Sequence, residues 1–359
     1  MVTMTWVGMD VHARSTQAAA VDAMSGELTR MRFGPGVGPV VEWLLGLPQP
    51  LRGCYEAGPT GYGLYRAGRE AGIDVEVIAP SKTPRASGER VKSDRKDAEL
   101  LVRLLMAGAL TPVTVPPPET EAARDLSRAR EQLRGDLMRC RHRVSKLLLR
   151  HGQVYEGGST WTQAHRRWLA GQRFSCGATE LAYLDALAAV DGLLSRREEL
   201  DRRLSELALE EAFWPTVARL RCFRGIDTLS ALALHLGVHD WRRFERAPQL
   251  AAWLGLTPSL HQSGESSASG SITKTGSTYA RRLLVEAAKH YGRPPRCGVV
   301  LARRQEGQPD HVLAIAWRAQ HRLFRLRARL RQRGKPANVA DVAVARELAC
   351  FLWAAAVAD

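Results

Sequence analysis

Four acidic residues stand where predicted strands end and a helix begins. Asp10 follows one short apolar run and Glu56 follows another, so each carboxylate ends a predicted buried strand. Asp94 and Asp97 are three residues apart at the start of a predicted helix and share one of its faces. A hard cation such as Mg²⁺ requires oxygen ligands gathered from separate elements. The four residues therefore predict a metal-dependent site for phosphodiester chemistry.

Each of these acids also has an ordinary structural explanation. An acid at a strand end commonly starts a turn. Acids in the first turn of a helix are favoured by the helix dipole, whatever their function. The order of the surrounding elements is what favours the metal site over these explanations.

The pattern of the first 115 residues predicts alternating strands and helices in ribonuclease H-like order. Three antiparallel strands precede a helix, a strand, a helix, a strand and a last helix. In that fold the first strand, the fourth strand and a late helix converge on one metal site. Two predicted strands end at Asp10 and Glu56, and three others cover 16–21, 28–33 and 74–78. The predicted helices cover 37–45, 60–71 and 94–106.

Composition indicates a globular protein with a polyanionic partner. The hydrophobic fraction of 45% is ordinary, but the net charge of +15 is not. Nucleic acid is the favoured partner over a membrane surface, because no apolar run approaches a spanning helix. Six scattered cysteines without a C-x-x-C pair argue against a zinc site or a disulfide framework. With no signal-peptide pattern at the start, we expect a cytoplasmic, nucleoid-associated bacterial protein.

The second region, 119–212, is predicted to be a long helical arm. A proline-rich connector at 113–118 precedes a basic helix over 119–152, whose apolar residues recur at heptad-compatible steps. A second long helix is predicted over 179–207. The two helices make either an antiparallel hairpin or an oligomerisation arm. Between them, the aromatic and basic residues of 151–177 either stack on RNA bases or pack beneath the helices.

The third region, 213–359, is predicted to be mainly helical. Its segment 220–236 resembles a helix-hairpin-helix, but Asp227 stands where a phosphate-binding turn has glycine, which favours packing over DNA contact. The segment 254–282 is rich in small and hydroxylated residues and is predicted to be a loop between helices. It suits either a phosphate-facing site or a flexible polar linker.

Taken together, the motifs of this chain resemble those of a known family, the DEDD-plus-serine insertion-sequence transposases. These are bridge-RNA-guided DNA recombinases related to the Piv-type DNA invertases. The resemblance covers nearly the whole chain. It is carried by the motifs at 7–10, 55–57, 92–98, 251–263, 274–276, 281–282 and 342–349.

The resemblance implies a RuvC-like domain over 1–115, a coiled-coil region over 119–212 and a C-terminal transposase domain over 213–359. Asp10, Glu56, Asp94 and Asp97 would bind Mg²⁺, with Mn²⁺ as an alternative, and Ser263 would be the nucleophile. Ser266 and Ser267 are alternative nucleophiles. The implied partners are donor and target DNA, a guide (bridge) RNA, and further copies of the chain as dimers that pair into a tetramer.

Three functions therefore compete. The first is a transposase that cuts and rejoins DNA through a serine nucleophile aided by the acidic metal site. The second is a RuvC-type endonuclease or junction resolvase, in which the carboxylates activate water. The third is a non-catalytic nucleic-acid-binding protein, against which the presence of all four acids and the Ser-Gly loop argues.

Overall fold

The chain divides into two units, Met1–Pro116 and Pro117–Asp359, in the computed structural model. The structure describes residues 4–84, 94–263 and 266–358. Lys92 and Ser93 of the predicted acidic motif, and Gly264 of the predicted Ser-Gly motif, lie outside the described residues.

The first unit is built on a five-stranded mixed sheet with the strand order β3-β2-β1-β4-β5. Strands β1 to β3 pair antiparallel, and β4 joins β1 and β5 in parallel. Its elements are β1 (Thr5–Val11), β2 (Thr16–Asp22), β3 (Leu28–Phe33), α1 (Gly38–Leu45), β4 (Leu51–Glu56), α2 (Gly63–Glu70), β5 (Asp74–Ile78) and α3 (Asp94–Met106). The predicted elements of this unit are confirmed, with ends that move by three residues at most.

The position of Asp10 differs slightly from the prediction. Asp10 does not close β1 but pairs with Gln17 inside it, and the strand continues to Val11. The pairing with β2 extends the strand beyond its apolar run, because backbone hydrogen bonds do not depend on side-chain polarity.

Helices cover both faces of this sheet. One face carries Met9 and Tyr55, which pack in one core with Leu44 of α1 and Leu64 of α2. Helix α3 covers the other face, where Gly8 lies beneath it. A β-carbon at Gly8 would lie 2.6 Å from the Val102 nitrogen of α3 and closer still to a carbonyl oxygen of the same helix. The absence of a side chain at Gly8 therefore allows α3 to lie directly on β1.

The proline-rich connector is extended, as predicted, and it belongs to the first unit up to Pro116. Val113 donates its backbone N–H to Val77 of β5 over 2.7 Å, and Val115 packs against the core beneath α1 and α2. The connector therefore lines the edge of the sheet.

The second unit begins with a long antiparallel helical hairpin. Its helices are α4 (Pro118–Arg150), α5 (Gln163–Ala170) and α6 (Gly177–Leu207). Arg130 near the start of α4 pairs with Asp201 near the end of α6 at 2.7 Å, which fixes the antiparallel direction. The apolar stripe predicted for α4 is buried against α6, including Leu133, Leu137 and Val144. The antiparallel hairpin is thus confirmed.

The aromatic residues between the two long helices pack against one another. His165 is 4% exposed and accepts a hydrogen bond from the backbone N–H of Trp161. Its ring contacts Tyr155, Trp161 and Trp168, and the Arg141 guanidinium of α4 lies 4.8 Å from the centre of the Trp161 ring. These side chains form a small core of their own. Of the two roles predicted for this segment, the structure shows packing beneath the long helices.

The rest of the second unit is a helical core with one hairpin of strands. It contains α7 (Trp214–Leu220), α8 (Thr228–Val238), α9 (Ala247–Trp253), β6 (Pro258–Ser263), β7 (Ser266–Ile272), α10 (Thr278–Ala288), α11 (Val299–Gln305), α12 (Asp310–Gln332) and α13 (Ala337–Val357). The prediction of a loop over 254–282 was wrong, because β6 and β7 pair antiparallel. Small hydroxylated residues do not prevent strand pairing, since the backbone provides the hydrogen bonds. Among the described helices, none combines the length and apolar character of a membrane span.

Candidate active site

The acidic site is positioned by the ends of two neighbouring parallel strands. Met9 of β1 is level with Tyr55 of β4, so the next residues, Asp10 and Glu56, follow at the same end of the sheet. Side chains alternate along a strand. Because Met9 and Tyr55 face α1 and α2, Asp10 and Glu56 belong to the opposite face, which α3 covers.

The first turn of α3 brings the remaining acids to this place. Gly8 lies against Ala98, and Asp94 precedes Ala98 by four residues, or about one helical turn. Single ligand atoms of Asp10, His12 and Asp94 all lie within 4.8 Å of one another. His12 Nε2 is 3.1 Å from Asp10 Oδ2 and 3.8 Å from Asp94 Oδ1.

The surroundings of Asp10 disfavour its negative charge. Burial raises the pKa of the Asp10 carboxyl above its ordinary value, and the charges of Asp94 and Asp97 raise it further. The hydrogen bond and charge of His12 act in the opposite direction. A cation bound nearby would relieve the repulsion between the Asp10 carboxylate and the other two acids.

Some of the predicted ligands lie closer together in the structure than others. Asp10 and Asp94 share the tight cluster, and Asp97 acts on Asp10 through its charge. Glu56 lies at the end of the neighbouring strand and is outside the cluster of three. His12 is the member that the sequence prediction left out. Its signal was its position two residues after Asp10, just beyond the end of β1.

The residues of this site fit a divalent cation. Carboxylate oxygens suit Mg²⁺ and Mn²⁺, and an imidazole nitrogen adds a ligand that suits Mn²⁺ better than Mg²⁺. The cluster is open to solvent, because His12 and the Asp94 side chain are each about half exposed, at 52% and 53%. Water and a phosphate oxygen therefore have room to complete the coordination of an ion.

The predicted nucleophile, Ser263, belongs to the second unit. It is the last residue of β6 and pairs with Ser266, the first residue of β7. The backbone thus places Ser263 at the closed end of a two-stranded hairpin. Ser267 lies opposite Gln262 in the same register.

Comparison with known proteins extends over both units. Residues 7–152 match the transposase family of the DEDD, IS110 type, and residues 217–294 match the Transposase IS116/IS110/IS902 family. The chain is also similar to a Sinorhizobium fredii protein named as transposase y4qE, with 39% identity over 98% of this chain and 88% of that protein. The chain belongs to the IS116/IS110/IS902 family of transposases. This transposase is therefore an enzyme that cuts and rejoins DNA.

Two further relatives carry names of the same kind. The transposase resembles the transposase for insertion sequence element IS1533 of Leptospira borgpetersenii, with 30% identity over 90% of this chain and 96% of that protein. It also resembles the transposase for insertion sequence element IS1111A of Coxiella burnetii, with 25% identity over 81% of this chain and 73% of that protein. The match to the first family begins at Val7 and so contains the acidic cluster.

Proposed function

We propose that this transposase cuts and rejoins DNA through a serine nucleophile, Ser263, with the help of a divalent-cation site in a ribonuclease H-like first unit. Asp10, Glu56, Asp94 and Asp97 are the proposed ligands, and His12 is a further candidate. The observation that carries the proposal is the cluster of Asp10, His12 and Asp94, whose ligand atoms lie within 4.8 Å of one another. Mg²⁺ is the proposed ion, with Mn²⁺ as the alternative.

The chain's own residues prepare this site before any ion binds. Helix α3 holds Asp94 beside β1, and His12 Nε2 donates a hydrogen bond to the Asp10 carboxylate over 3.1 Å, which orients that carboxylate. A bound divalent cation would stabilise the negative charge that develops on phosphate oxygens during strand cleavage. Placing carboxylates on a sheet and a packed helix, rather than on a loop, keeps the ligands in position.

The proposed serine chemistry conserves the number of phosphoester bonds. Ser263 Oγ attacks the phosphorus atom and loses its proton, and the bond from phosphorus to one deoxyribose oxygen breaks. That oxygen takes up a proton and becomes a free hydroxyl group. A deoxyribose hydroxyl of the new partner strand then attacks the phosphoserine and restores the serine. Strand exchange by this route needs no external energy source.

The choice of DNA site is proposed to depend on a guide RNA, and the assembly is proposed to be a dimer that pairs into a tetramer. The net charge of +15 supports contact with a large amount of nucleic acid. The long hairpin of α4 and α6 supports an oligomerisation role, because an extended arm offers surface to another copy of the chain.

The serine step is tested by looking for protein attached to DNA. Wild type, Ser263→Ala and Asp10→Ala are incubated with guide RNA, Mg²⁺ and end-labelled donor and target DNA, then run on a denaturing gel. We expect label that migrates with the wild-type protein and is absent from both variants. Ser266→Ala and Ser267→Ala are the matched controls and should retain the covalent product. Free DNA ends that persist in Ser263→Ala would instead support the hydrolytic nuclease of RuvC type.

The cation site is tested separately by binding. Titration with Tb³⁺, followed by its luminescence, reports occupation of a carboxylate site without requiring activity. Asp10→Asn should weaken binding by at least about tenfold, because it removes a ligand charge from the cluster. Asp125→Asn is the matched control, because Asp125 is an exposed acid that pairs with Arg128 on α4. Equal affinities of Asp10→Asn and wild type would contradict the assignment.

A further inference from the structure

A groove on the C-terminal part of the second unit combines an exposed aromatic ring with arginine side chains. It has a volume of about 590 Å³ and lies between α12 and α13. Ile315 of α12 and Phe351 and Ala354 of α13 provide its apolar lining. Trp317, Arg318, His321, Arg322 and Arg325 of α12 line the rest of the groove. None of these residues belongs to the proposed catalytic site.

Trp317 is unusually accessible for its type. Its relative exposure is 46%, although most large side chains of this helical core are buried. His321 lies one helical turn away and packs edge-on against it, with 4.7 Å between the ring centres. This contact supports one side of the indole ring and leaves the exposed part available to a partner.

The arginines of the groove form a stripe on the same helix. Arg318, Arg322 and Arg325 are separated by four and three residues, so they share one face over about 10 Å. Arg322 is paired with Glu347 at 2.9 Å. Arg325 donates to the carbonyl of His321, and Arg318 has no acidic partner within the described part of the chain. Two positive charges of the stripe are therefore not neutralised by described acids.

We propose that this groove binds a single-stranded segment of DNA, with an unpaired base stacked on Trp317 and phosphates held by Arg318 and Arg325. Stacking on an aromatic side chain requires a base that has left the duplex, and arginines along a groove follow the backbone. Cutting and rejoining strands exposes unpaired bases of this kind. The proposal depends on action on DNA and not on the serine or cation chemistry.

The test measures affinity for fluorescein-labelled oligothymidylate by fluorescence anisotropy, without added divalent cation. Trp317→Ala and Trp317→Leu should each weaken binding by roughly tenfold, since both remove the stacking face. Trp317→Phe should recover most of the affinity because it keeps an aromatic ring. An abasic strand of the same length should bind wild type and Trp317→Ala equally, because it has no base to stack.

Arg318→Ala combined with Arg325→Ala gives a second, independent variant. It should weaken binding to both the thymidylate and the abasic strand, because phosphate contacts do not require a base. Arg202→Ala and Leu181→Ala are the controls. Arg202 is an exposed arginine of α6 already held by Glu199 and Glu206, and Leu181 is 70% exposed on the same helix. Both controls should bind as wild type does.

Several results would overturn the assignment. Unchanged thymidylate affinity in folded Trp317→Ala is one, and equal losses on duplex and single-stranded DNA are another. Trp317 dependence seen with oligouridylate but not with oligothymidylate would assign the groove to RNA. A changed subunit number in Trp317→Ala, measured by light scattering, together with unchanged affinity would assign it to protein association. Because cleavage is not measured, these outcomes are distinct from a failure of the proposed catalytic function.

Discussion

At the scale of single residues, the acidic cluster depends on a glycine that has no chemistry of its own. Gly8 allows α3 to approach β1, and α3 carries Asp94 to Asp10. The four predicted acids are therefore only part of what makes the site. A side chain at Gly8 would separate the elements while leaving every ligand in the sequence.

We expect Gly8→Ala to lower the free energy of unfolding by about 1–3 kcal/mol, because the added methyl group meets the α3 backbone. We also expect it to weaken Tb³⁺ binding, because Asp94 moves away from Asp10. Denaturant unfolding and the luminescence titration measure the two effects. Gly38→Ala is the matched control, since a β-carbon at Gly38 meets nothing within 4 Å. A stable Gly8→Ala protein with wild-type binding would show that the close approach is unimportant.

A second residue-scale effect concerns His235, which is 7% exposed in the helical core and accepts a hydrogen bond from Trp241 Nε1 at 3.2 Å. Burial, with a smaller contribution from His239, lowers the pKa of His235 from 6.5 to about 4. The unfolded chain therefore binds a proton at a higher pH than the folded chain. The free energy of unfolding should fall as the pH drops from about 6.5 to about 4, by on the order of 3 kcal/mol from this group.

The His235 effect is measured by urea unfolding at several pH values. His235→Gln should lose this part of the pH dependence, even where its stability at neutral pH is lower than that of wild type. His311→Gln, which changes an exposed histidine of α12, should retain the wild-type dependence. A parallel pH profile for wild type and His235→Gln would mean that other groups cause the acid sensitivity.

At the scale of elements, Asp227 is unsuited to a phosphate-binding turn but stabilises the start of a helix. It stands before α8, where its Oδ1 accepts a hydrogen bond from the Ser230 backbone N–H at 2.7 Å. The preceding turn uses Gly225 at φ +83°, a conformation that favours glycine. Asp227 therefore caps α8, at the turn for which the sequence predicts packing over DNA contact.

We expect Asp227→Ala to destabilise the protein by about 1 kcal/mol, since the cap to α8 is lost. Asp227→Asn should remain close to wild type, because the asparagine side-chain oxygen also accepts this hydrogen bond. Denaturant unfolding compares the three proteins. Equal stabilities of the alanine variant and wild type would show that solvent replaces the cap at no cost.

At the scale of the whole molecule, the net charge of +15 sets how the transposase responds to salt. Arginine and lysine contacts to phosphates release bound counterions, so affinity falls with salt concentration. We expect the logarithm of the association constant for duplex DNA to fall with the logarithm of salt concentration, with a slope of about −4 or steeper. Anisotropy titrations across a series of potassium chloride concentrations measure it.

The control for this slope is Arg202→Ala, which removes one positive charge. Arg202→Ala should leave the slope unchanged, because Arg202 is already engaged by Glu199 and Glu206. A slope near zero would contradict a binding mode dominated by backbone phosphates. The proposed catalytic residues are unchanged in Arg202→Ala, and the measurement does not depend on strand cleavage.

The sequence by itself determined the elements of the first unit and the acids that end or begin them. Apolar runs and turn residues are local signals, and they located β1 to β5 and α3 within a few residues. The two long helices of the second unit were also predicted, because the apolar repeat of α4 requires a partner helix, but the sequence left open whether they form an antiparallel hairpin or an oligomerisation arm. The β6–β7 hairpin was not predicted, because its small polar residues carry no strand pattern. Only the pairing of the two strands with each other defines it.

Tertiary structure alone decided which side chains meet. It grouped His12 with Asp10 and Asp94, packed aromatic residues around the buried His165, and left Trp317 exposed beside arginines. These outcomes depend on which faces of distant elements pack together. Periodicity shows that a helix has an apolar face, but it does not show what covers that face. The close approach at Gly8 is of the same kind, because one missing side chain has meaning only when α3 lies against it.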